Sequence, residues 1–208
     1  MDVVEILRSA SFYCGTEREF ADLFEYARHN IQRYDPSTGM VFGSSSQLLG
    51  TVSTLTLNSW DKMIEAFNIT LRSICTDRIV VKKEMELEFV TNKIALYNIH
   101  NVNRVYYVMR NGKKIPFSVS DDGLLVIDKP GKVVMGYSYI PPSYGASDAV
   151  DFLFGKINET VLALGTASEY LYMVGQYDDA EMIRKRYIEE ADKIDKRRKI
   201  MPAKRWLK

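Results

Sequence analysis

The chain has 208 residues and a mass of 23.9 kDa, and 46% of its residues are apolar while 26% are charged. This composition is typical of a globular protein that is large enough to bury its own core, and it excludes a disordered chain. With 28 Lys and Arg residues against 27 Asp and Glu residues, the net charge of +1 excludes a globally basic nucleic-acid coat but allows a local basic patch.

The contents of cysteine and histidine limit the chemistry further. Cys14 and Cys75 are too few for a disulfide framework, and His29 and His100 cannot form a multi-histidine metal centre. No apolar run approaches the roughly 20 residues that a membrane-spanning helix needs. The N-terminus lacks the basic and apolar parts of a signal peptide, which indicates a cytosolic setting. We therefore expect no metal, no cofactor and no membrane contact.

The N-terminal third is predicted to be helical. Thr16, followed three residues later by Glu19, is typical of a capping box at a helix start. We expect this helix to end at Asp35, because the residue before Pro36 is disfavoured in the α-helical region. The apolar residues that recur at helical spacing in this segment are Phe20, Leu23, Phe24, Ala27 and Ile31.

The next segment, residues 36–55, is rich in serine and glycine and contains little charge. Connections longer than about 12–15 residues are usually functional or disordered. Its apolar residues predict contacts with neighbouring chains, and folding back onto the protein's own core is an equally weighted alternative. The residues concerned are Met40, Val41, Phe42, Leu48 and Leu49.

A second helix is predicted to begin at Asn58 or Ser59 and to bury one apolar stripe. The stripe consists of Trp60, Met63, Ile64, Phe67, Leu71 and Ile74.

Between Asp77 and about Ile140 the apolar period changes to two, which predicts short strands. Asn111-Gly112 is a strong signal for a type I′ hairpin turn, since both central positions need a positive φ. The result is an antiparallel β-meander over residues 77–140. The strand candidates are Ile79–Val81, Met85–Val90, Ile94–Tyr97, Val102–Met109, Ile115–Val119, Leu124–Ile127 and Val133–Tyr139.

After Pro141-Pro142, Ser147 is predicted to cap a long helix that ends at Gly175, and Asp178 to open a last helix. Blocks of helices, then strands, then helices indicate an α+β fold rather than a βαβ alternation. We expect a discontinuous helical bundle formed by residues 1–76 and 141–200, with the β-meander inserted between them. Residues 201–208 would form a C-terminal docking tail.

The C-terminus carries the most distinctive pattern. Residues 195–208 contain seven basic residues and one acidic residue, a net charge of +6, which leaves −5 for the rest of a chain whose total is +1. Trp206 and Leu207 would each gain about 1.5–3 kcal/mol from burial, and aromatic and arginine side chains are typical interface anchors. Docking on another chain is therefore predicted, with packing onto the protein's own core as the alternative. The basic residues are Lys196, Arg197, Arg198, Lys199, Lys204, Arg205 and Lys208.

We find no catalytic motif in the sequence. Glu84, Glu86 and Glu88 alternate along one strand, which favours the polar face of a half-exposed strand over acid–base or metal chemistry. Two alternatives stay open: an enzyme in which Glu86, Glu88 and His100 converge, and a nucleic-acid-binding module. The latter would stack bases on the Tyr-rich strands and bind phosphates with the basic tail.

Taken together, these features resemble phage head-to-tail adaptor (connector) proteins, in particular the tail tubular A-type adaptors of short-tailed phages. The likeness is one of arrangement and covers about residues 15–208. It is carried by the helix from Trp60 to Ile74, the hairpins around Asn111-Gly112 and Asp122-Gly123, the segment Tyr139-Ile140-Pro141-Pro142, the helix from Ala149 to Leu164, and the stretch from Gly175 to Ala180.

The resemblance implies a structural, non-enzymatic virion protein, made in the cytoplasm of the bacterial host. Such adaptors form a ring, typically of twelve copies, beneath the portal protein at the head–tail junction. The ring extends the DNA channel, contacts passing DNA only non-specifically, and presents a platform for tail or nozzle proteins. Arg205, Trp206 and Leu207 would then dock on the portal. The basic residues Lys196, Arg197, Arg198, Lys199 and Lys204 would face the portal or DNA.

Overall fold

The computed structural model describes residues 1–31, 54–99, 101–150 and 157–199. The chain divides into two compact units, whose described residues belong to Met1–Leu71 with Ser143–Lys208 and to Arg72–Pro142. The class is α+β, as predicted, because helices dominate the first unit and antiparallel strands the second. The segment 77–140, predicted as the β-domain, lies within the second unit.

The first unit, here called the helical unit, is built from α-helices that come from both ends of the chain. In its described part these are α1 (Val3–Cys14), α2 (Ala21–Ile31), α3 (Thr54–Ser73, whose last two residues belong to the second unit), α4 (Glu159–Met173) and α5 (Tyr177–Lys199).

Helix α1 occupies a region that the sequence predicts only as generally helical. Its buried apolar residues recur at helical spacing, so one face packs inward. The helix ends at Gly15, whose φ of +70° gives a left-handed cap and whose N–H donates to the Phe12 carbonyl at 3.2 Å. The buried apolar residues are Val3, Val4, Ile6, Leu7 and Ala10.

Helix α2 begins at Ala21, later than the capping-box prediction at Thr16. The residues between form turns, in which the Thr16 carbonyl accepts hydrogen bonds from the N–H groups of Glu19 at 3.0 Å and Phe20 at 3.3 Å. The predicted end at Asp35 lies outside the described residues.

A cluster of aromatic side chains packs α2 against α3 and α4. The Phe20 ring, which is fully buried, lies 5.5 Å from the ring of Trp60 and 6.4 Å from the ring of Tyr170, measured between ring centroids. Phe24 lies 5.2 Å from Trp60. Each pair has the edge-to-face geometry that aromatic rings prefer. The stripe predicted for the second helix is buried at Trp60, Met63, Phe67, Leu71 and Ile74 and half-buried at Ile64.

Helix α4 is the central helix of this unit. Every residue from Val161 to Ser168 is buried, as expected of a helix that is surrounded by others. Gly165 marks its closest approach to neighbours, because a Cβ there would overlap the Thr70 methyl of α3 and lie 3.0 Å from Cε2 of Tyr187 in α5. Gly175, with a φ of +83°, separates α4 from α5 as predicted.

The prediction that Ser147 starts a helix is wrong. An antiparallel bridge joins Asp2 to Ala149, and the Val3 N–H donates to the Asp148 carbonyl at 3.0 Å. These residues therefore pair with the N-terminus of the chain instead of forming a helix. The bridge connects the two chain segments that make up the helical unit.

Helix α4 begins instead at Glu159, with Asn158 as its N-cap. The Asn158 side-chain oxygen accepts a hydrogen bond from the Thr160 N–H at 3.1 Å. This satisfies one of the backbone donors that a helix start leaves without an intrahelical partner.

We expect Asn158→Ala to lower the free energy of unfolding of the helical unit by about 1 kcal/mol, because the Thr160 N–H loses its acceptor. Asn158→Asp is the matched control, since it keeps the acceptor and adds a negative charge that suits a helix N-terminus. Chemical denaturation measures both variants. An alanine variant as stable as the wild type would contradict this capping role.

The second unit, here called the β unit, forms two antiparallel sheets. In one sheet the strand order is β1–β7–β3–β4, and in the other it is β2–β6–β5. The first strand of the unit pairs with the last, so the strands do not follow one continuous meander, although their antiparallel character is as predicted. The strands are β1 (Lys82–Phe89), β2 (Lys93–Ala95), β3 (Val102–Arg110), β4 (Lys113–Ile115), β5 (Phe117–Val119), β6 (Leu124–Ile127) and β7 (Gly131–Tyr139).

Three predicted strands differ from those observed. The strand predicted at Ile94–Tyr97 is cut short, because β2 ends at Ala95 and Leu96–Asn98 forms a 3-10 helix. Ile79–Val81 is not a strand, because α3 continues into a π-helical turn, Ile74–Arg78, and the chain enters the sheet only at Lys82. The strand predicted at Ile115–Val119 is divided at Pro116, which has no N–H to donate to a ladder. Its two parts consequently pair in different sheets.

Both sheets contribute side chains to one core of the β unit. The hairpin between β3 and β4 turns at Asn111 and Gly112 with φ of +50° and +75°, which confirms the predicted type I′ turn. The buried residues of this core are Phe89, Val105, Val108, Leu125, Ile127, Val133, Met135 and Tyr137.

None of the helices in the described ranges combines the length and the apolar character that crossing a bilayer requires.

Candidate functional site

The contact residues predicted from the sequence lie largely outside the described residues. This holds for Met40, Val41, Phe42, Leu48 and Leu49, and for Lys204, Arg205, Trp206 and Leu207. The backbone of Lys196, Arg197, Arg198 and Lys199 belongs to α5, but their side chains are not described. Their roles therefore stay predictions.

The described surface that stands out is one face of the four-stranded sheet in the β unit, here called the outer face. On β1, Glu84, Glu86 and Glu88 are exposed, whereas Met85 and Leu87 between them are half-buried against the core. This is the polar face predicted for a half-exposed strand. His100 lies outside the described residues, and within them no three acidic, histidine or cysteine side chains are grouped to hold a metal ion.

The side chain of Tyr107, on β3, reaches across β7 to β1 on this face. It is paired with Gly136 on β7, and Gly136 is paired in turn with Glu84 on β1. The Tyr107 hydroxyl donates a hydrogen bond to Glu84 Oε1. A Cβ at Gly136 would overlap the Tyr107 ring, so the ring needs a glycine beneath it. Lys114 on β4 adds a cation 5.5 Å from the ring centroid.

This arrangement was not foreseen in the sequence, although a signal exists. A glycine inside a strand often marks a close approach of another group, and Gly136 stands in the middle of β7. The regular alternation predicted opposite orientations for Tyr106 and Tyr107. β3 is in fact irregular, with a register shift between Val105 and Tyr107 that leaves Tyr106 as the extra residue.

Tyr106 is 39% exposed and has two cations near its ring. Lys82 Nζ lies 5.4 Å from the ring centroid and Arg104 Cζ lies 6.0 Å from it. Cations within about 6 Å of a ring are attracted to its face. An exposed aromatic ring between two cations has the chemistry that stacks on a base while the cations attract phosphates.

At the other end of the outer face, beside the β3–β4 hairpin, lies a groove of about 460 Å³. Its carboxylates come from β1, and its apolar lining comes mainly from β3 and β7. Register places Glu88 opposite Lys132 and Glu86 opposite Val134. The groove is lined by Glu86, Leu87, Glu88, Met109, Asn111, Gly112, Lys132, Val133 and Val134.

We expect Tyr107→Phe to destabilise the β unit at neutral pH, because Glu84 loses the phenol as a donor. The hydrogen bond to Glu84 raises the pKa of Tyr107 above its usual value of 10.0. A group whose pKa is raised on folding contributes stability below its unfolded-state pKa and loses that contribution as the pH rises through its folded-state pKa.

The difference in free energy of unfolding between wild type and Tyr107→Phe should therefore be constant near neutral pH and shrink above about pH 10. Chemical denaturation across this range measures it. Tyr97→Phe is the control, because Tyr97 is a 73% exposed tyrosine in the same unit. A difference that persists unchanged at high pH would contradict the role given to this hydrogen bond.

Neither a scan against models of protein families nor a search of curated proteins finds a match to this chain.

Proposed function

We propose that this protein is a structural, non-enzymatic subunit of a phage head-to-tail adaptor ring, which joins the portal to the tail and extends the DNA channel. The ring would contain about twelve copies of the chain at the capsid vertex of the virion. It would meet the portal protein on one side and tail or nozzle proteins on the other, and it would contact passing DNA only non-specifically.

The observation that supports this proposal is the order of the two units along the chain. The helical unit draws on both ends of the chain and is tied by the bridge between Asp2 and Ala149, while Arg72–Pro142 forms a separate antiparallel unit inserted between its halves. An inserted β unit in a helical unit is the arrangement that the resemblance to adaptor proteins rests on.

Charge segregation adds support. A closed ring of identical subunits uses heterologous contacts, in which two different patches of neighbouring copies complement each other. A chain with a net charge of +6 in residues 195–208 and −5 in the remainder has the opposite charges that such contacts can use. Association would then weaken at high salt, because exposed charges are screened.

Co-sedimentation with a cognate portal ring tests the role of the tail. Deleting residues 200–208, which leaves α5 whole, or replacing Trp206 by alanine should abolish co-assembly. Tyr177→Ala is the matched control, since Tyr177 is a 64% exposed aromatic residue of α5. A shortened chain that still assembles on the portal would contradict the assignment of the tail.

A nucleic-acid-binding module is the second candidate, and the exposed Tyr106 between Lys82 and Arg104 is what favours it. In that case the protein alone should bind single-stranded DNA with an affinity that falls steeply with salt. Tyr106→Ala should weaken the binding, whereas Tyr97→Ala should not. Absence of binding, or an affinity for DNA that Tyr106→Ala leaves unchanged, would exclude this role for the outer face.

A further inference from the structure

We propose that the free edge of β1 and the adjoining groove are the docking site for the C-terminal tail of a second copy of this chain. The inference deepens the proposed function, because it names the surface that receives the tail between neighbours in the ring. Here a neighbouring copy takes the place of the portal, which the resemblance implies as the partner of Arg205, Trp206 and Leu207. Its test needs no portal, so its failure and the failure of the adaptor role can be told apart.

The first observation is that β1 is an edge strand. Among the residues that the structure describes, the sheet order β1–β7–β3–β4 gives it a sheet partner on one side only, and it pairs with β7 over all eight of its residues. The other side of such a strand presents backbone N–H and C=O groups that can pair with another strand. A peptide that adds to an edge gains affinity from these main-chain bonds and specificity from alternate side chains.

The second observation is the pattern that β1 presents to an added strand. On the outer face, the side chains of an added strand would lie directly beside Glu84, Glu86 and Glu88. On the opposite, inward face, its side chains would lie beside the half-buried Met85 and Leu87. Glu84 already accepts a hydrogen bond from Tyr107. The partner should therefore alternate basic or amphipathic residues on one face with an apolar residue on the other.

The C-terminal tail matches this pattern on its outward face and at Leu207, whereas Arg205 departs from it on the inward face. In an extended segment, Lys204, Trp206 and Lys208 share one face, and Arg205 and Leu207 share the other. With antiparallel pairing and Trp206 opposite Glu86, the two lysines lie opposite the flanking glutamates, and opposite charges that face each other across strands stabilise a sheet. Leu207 then lies opposite Met85.

The groove gives the tryptophan a place to bury its ring. It lies on the outer face next to Glu86 and has a volume of about 460 Å³. Val134 on β7, about 10 Å from an added strand, is its apolar side chain nearest to the tryptophan ring on that face. Lys132, which is opposite Glu88, is the one cation among the groove-lining residues. Because Lys132 belongs to β7 rather than β1, the side chains nearest to an added strand are the glutamates.

The length of the tail allows it to reach another copy. Nine residues, 200–208, follow the end of α5. Fully extended, they span up to about 30 Å. A tail on one surface and a groove on another are the two different patches that a heterologous ring contact requires.

Disulfide trapping in the full-length protein tests this directly. Glu88→Cys combined with Lys204→Cys, which lie opposite each other in this register and leave Trp206 in place, should give interchain dimers and larger species on a non-reducing gel at high protein concentration, since a disulfide forms only when the two Cα atoms come within about 7 Å. Asp121→Cys with Lys204→Cys is the matched control, because Asp121 is exposed in the same unit but lies outside β1. The single-cysteine variants control for Cys14 and Cys75.

Three outcomes would overturn the proposal: no cross-link, a cross-link only within one chain, or equal cross-linking of the Asp121 control. A charge-swap series gives an independent readout by sedimentation velocity. Glu86→Lys with Glu88→Lys should weaken self-association about tenfold, as should Lys204→Glu with Lys208→Glu. Combining all four changes should restore it, and a combined variant as weak as its parents would also contradict the docking site.

Discussion

Replacing Phe20 by alanine is expected to lower the free energy of unfolding of the helical unit by about 3–5 kcal/mol. Phe20 is fully buried and meets the rings of Phe24, Trp60 and Tyr170, which belong to three helices. Truncation would remove apolar contacts to all of them and leave a cavity that the helices cannot close without moving apart.

Urea denaturation followed by tryptophan fluorescence measures this loss, because Trp60 reports from within the cluster. Phe12→Ala is the matched control: it removes the same atoms from a side chain that is 68% exposed, and it should change the free energy of unfolding by no more than about 0.5 kcal/mol. Equal effects of the two substitutions would contradict the placement of Phe20 at the centre of the cluster.

Gly165→Ala is expected to destabilise the helical unit by about 1–3 kcal/mol. In an ordinary exposed helix position the same change would stabilise by about 0.5–1 kcal/mol, because alanine loses less conformational freedom on folding than glycine. The sign reverses here because the new methyl would overlap Cγ2 of Thr70 on α3 and press on the ring of Tyr187 on α5.

A second substitution separates this steric effect from any other. Thr70→Ser removes the methyl that the new Cβ would strike and keeps the hydroxyl, so Gly165→Ala combined with Thr70→Ser should recover part of the lost stability. The two changes would then be non-additive, as expected for residues in contact. A stabilising Gly165→Ala, or purely additive effects, would contradict the close packing of α3 on α4.

Those parts of the fold that depend on local chemistry could be predicted from the sequence. The turn at Asn111-Gly112 and the stop at Gly175 follow from residues that accept a positive φ. The apolar stripe around Trp60 gives α3 its buried face. In each case the neighbours along the chain determine the structure.

Features that depend on distant partners could not be predicted in this way. Ser147 and Asn158 are both good helix N-caps, and the choice between them depends on the pairing of Ala149 with Asp2 at the far end of the chain. Pro116 signals a break, but only the two sheets show that its flanking strands separate.

The same distinction applies to the candidate site. The alternation of Glu84, Glu86 and Glu88 predicted their exposure on one strand face. That β1 is an edge strand follows only from its pairing with β7, which is about forty residues away in sequence. The glycine inside β7 signals a close approach, but that Tyr107 is the residue above it depends on the register shift in β3.

The adaptor role is tested most directly by measuring mass by light scattering, with and without a cognate portal ring, at low and at high salt. We expect the chain to join the portal ring in a defined multiple close to the number of portal subunits, and the complex to weaken as salt rises. A chain that does not bind the portal ring but gains mass when DNA is added would contradict the adaptor role and favour nucleic-acid binding.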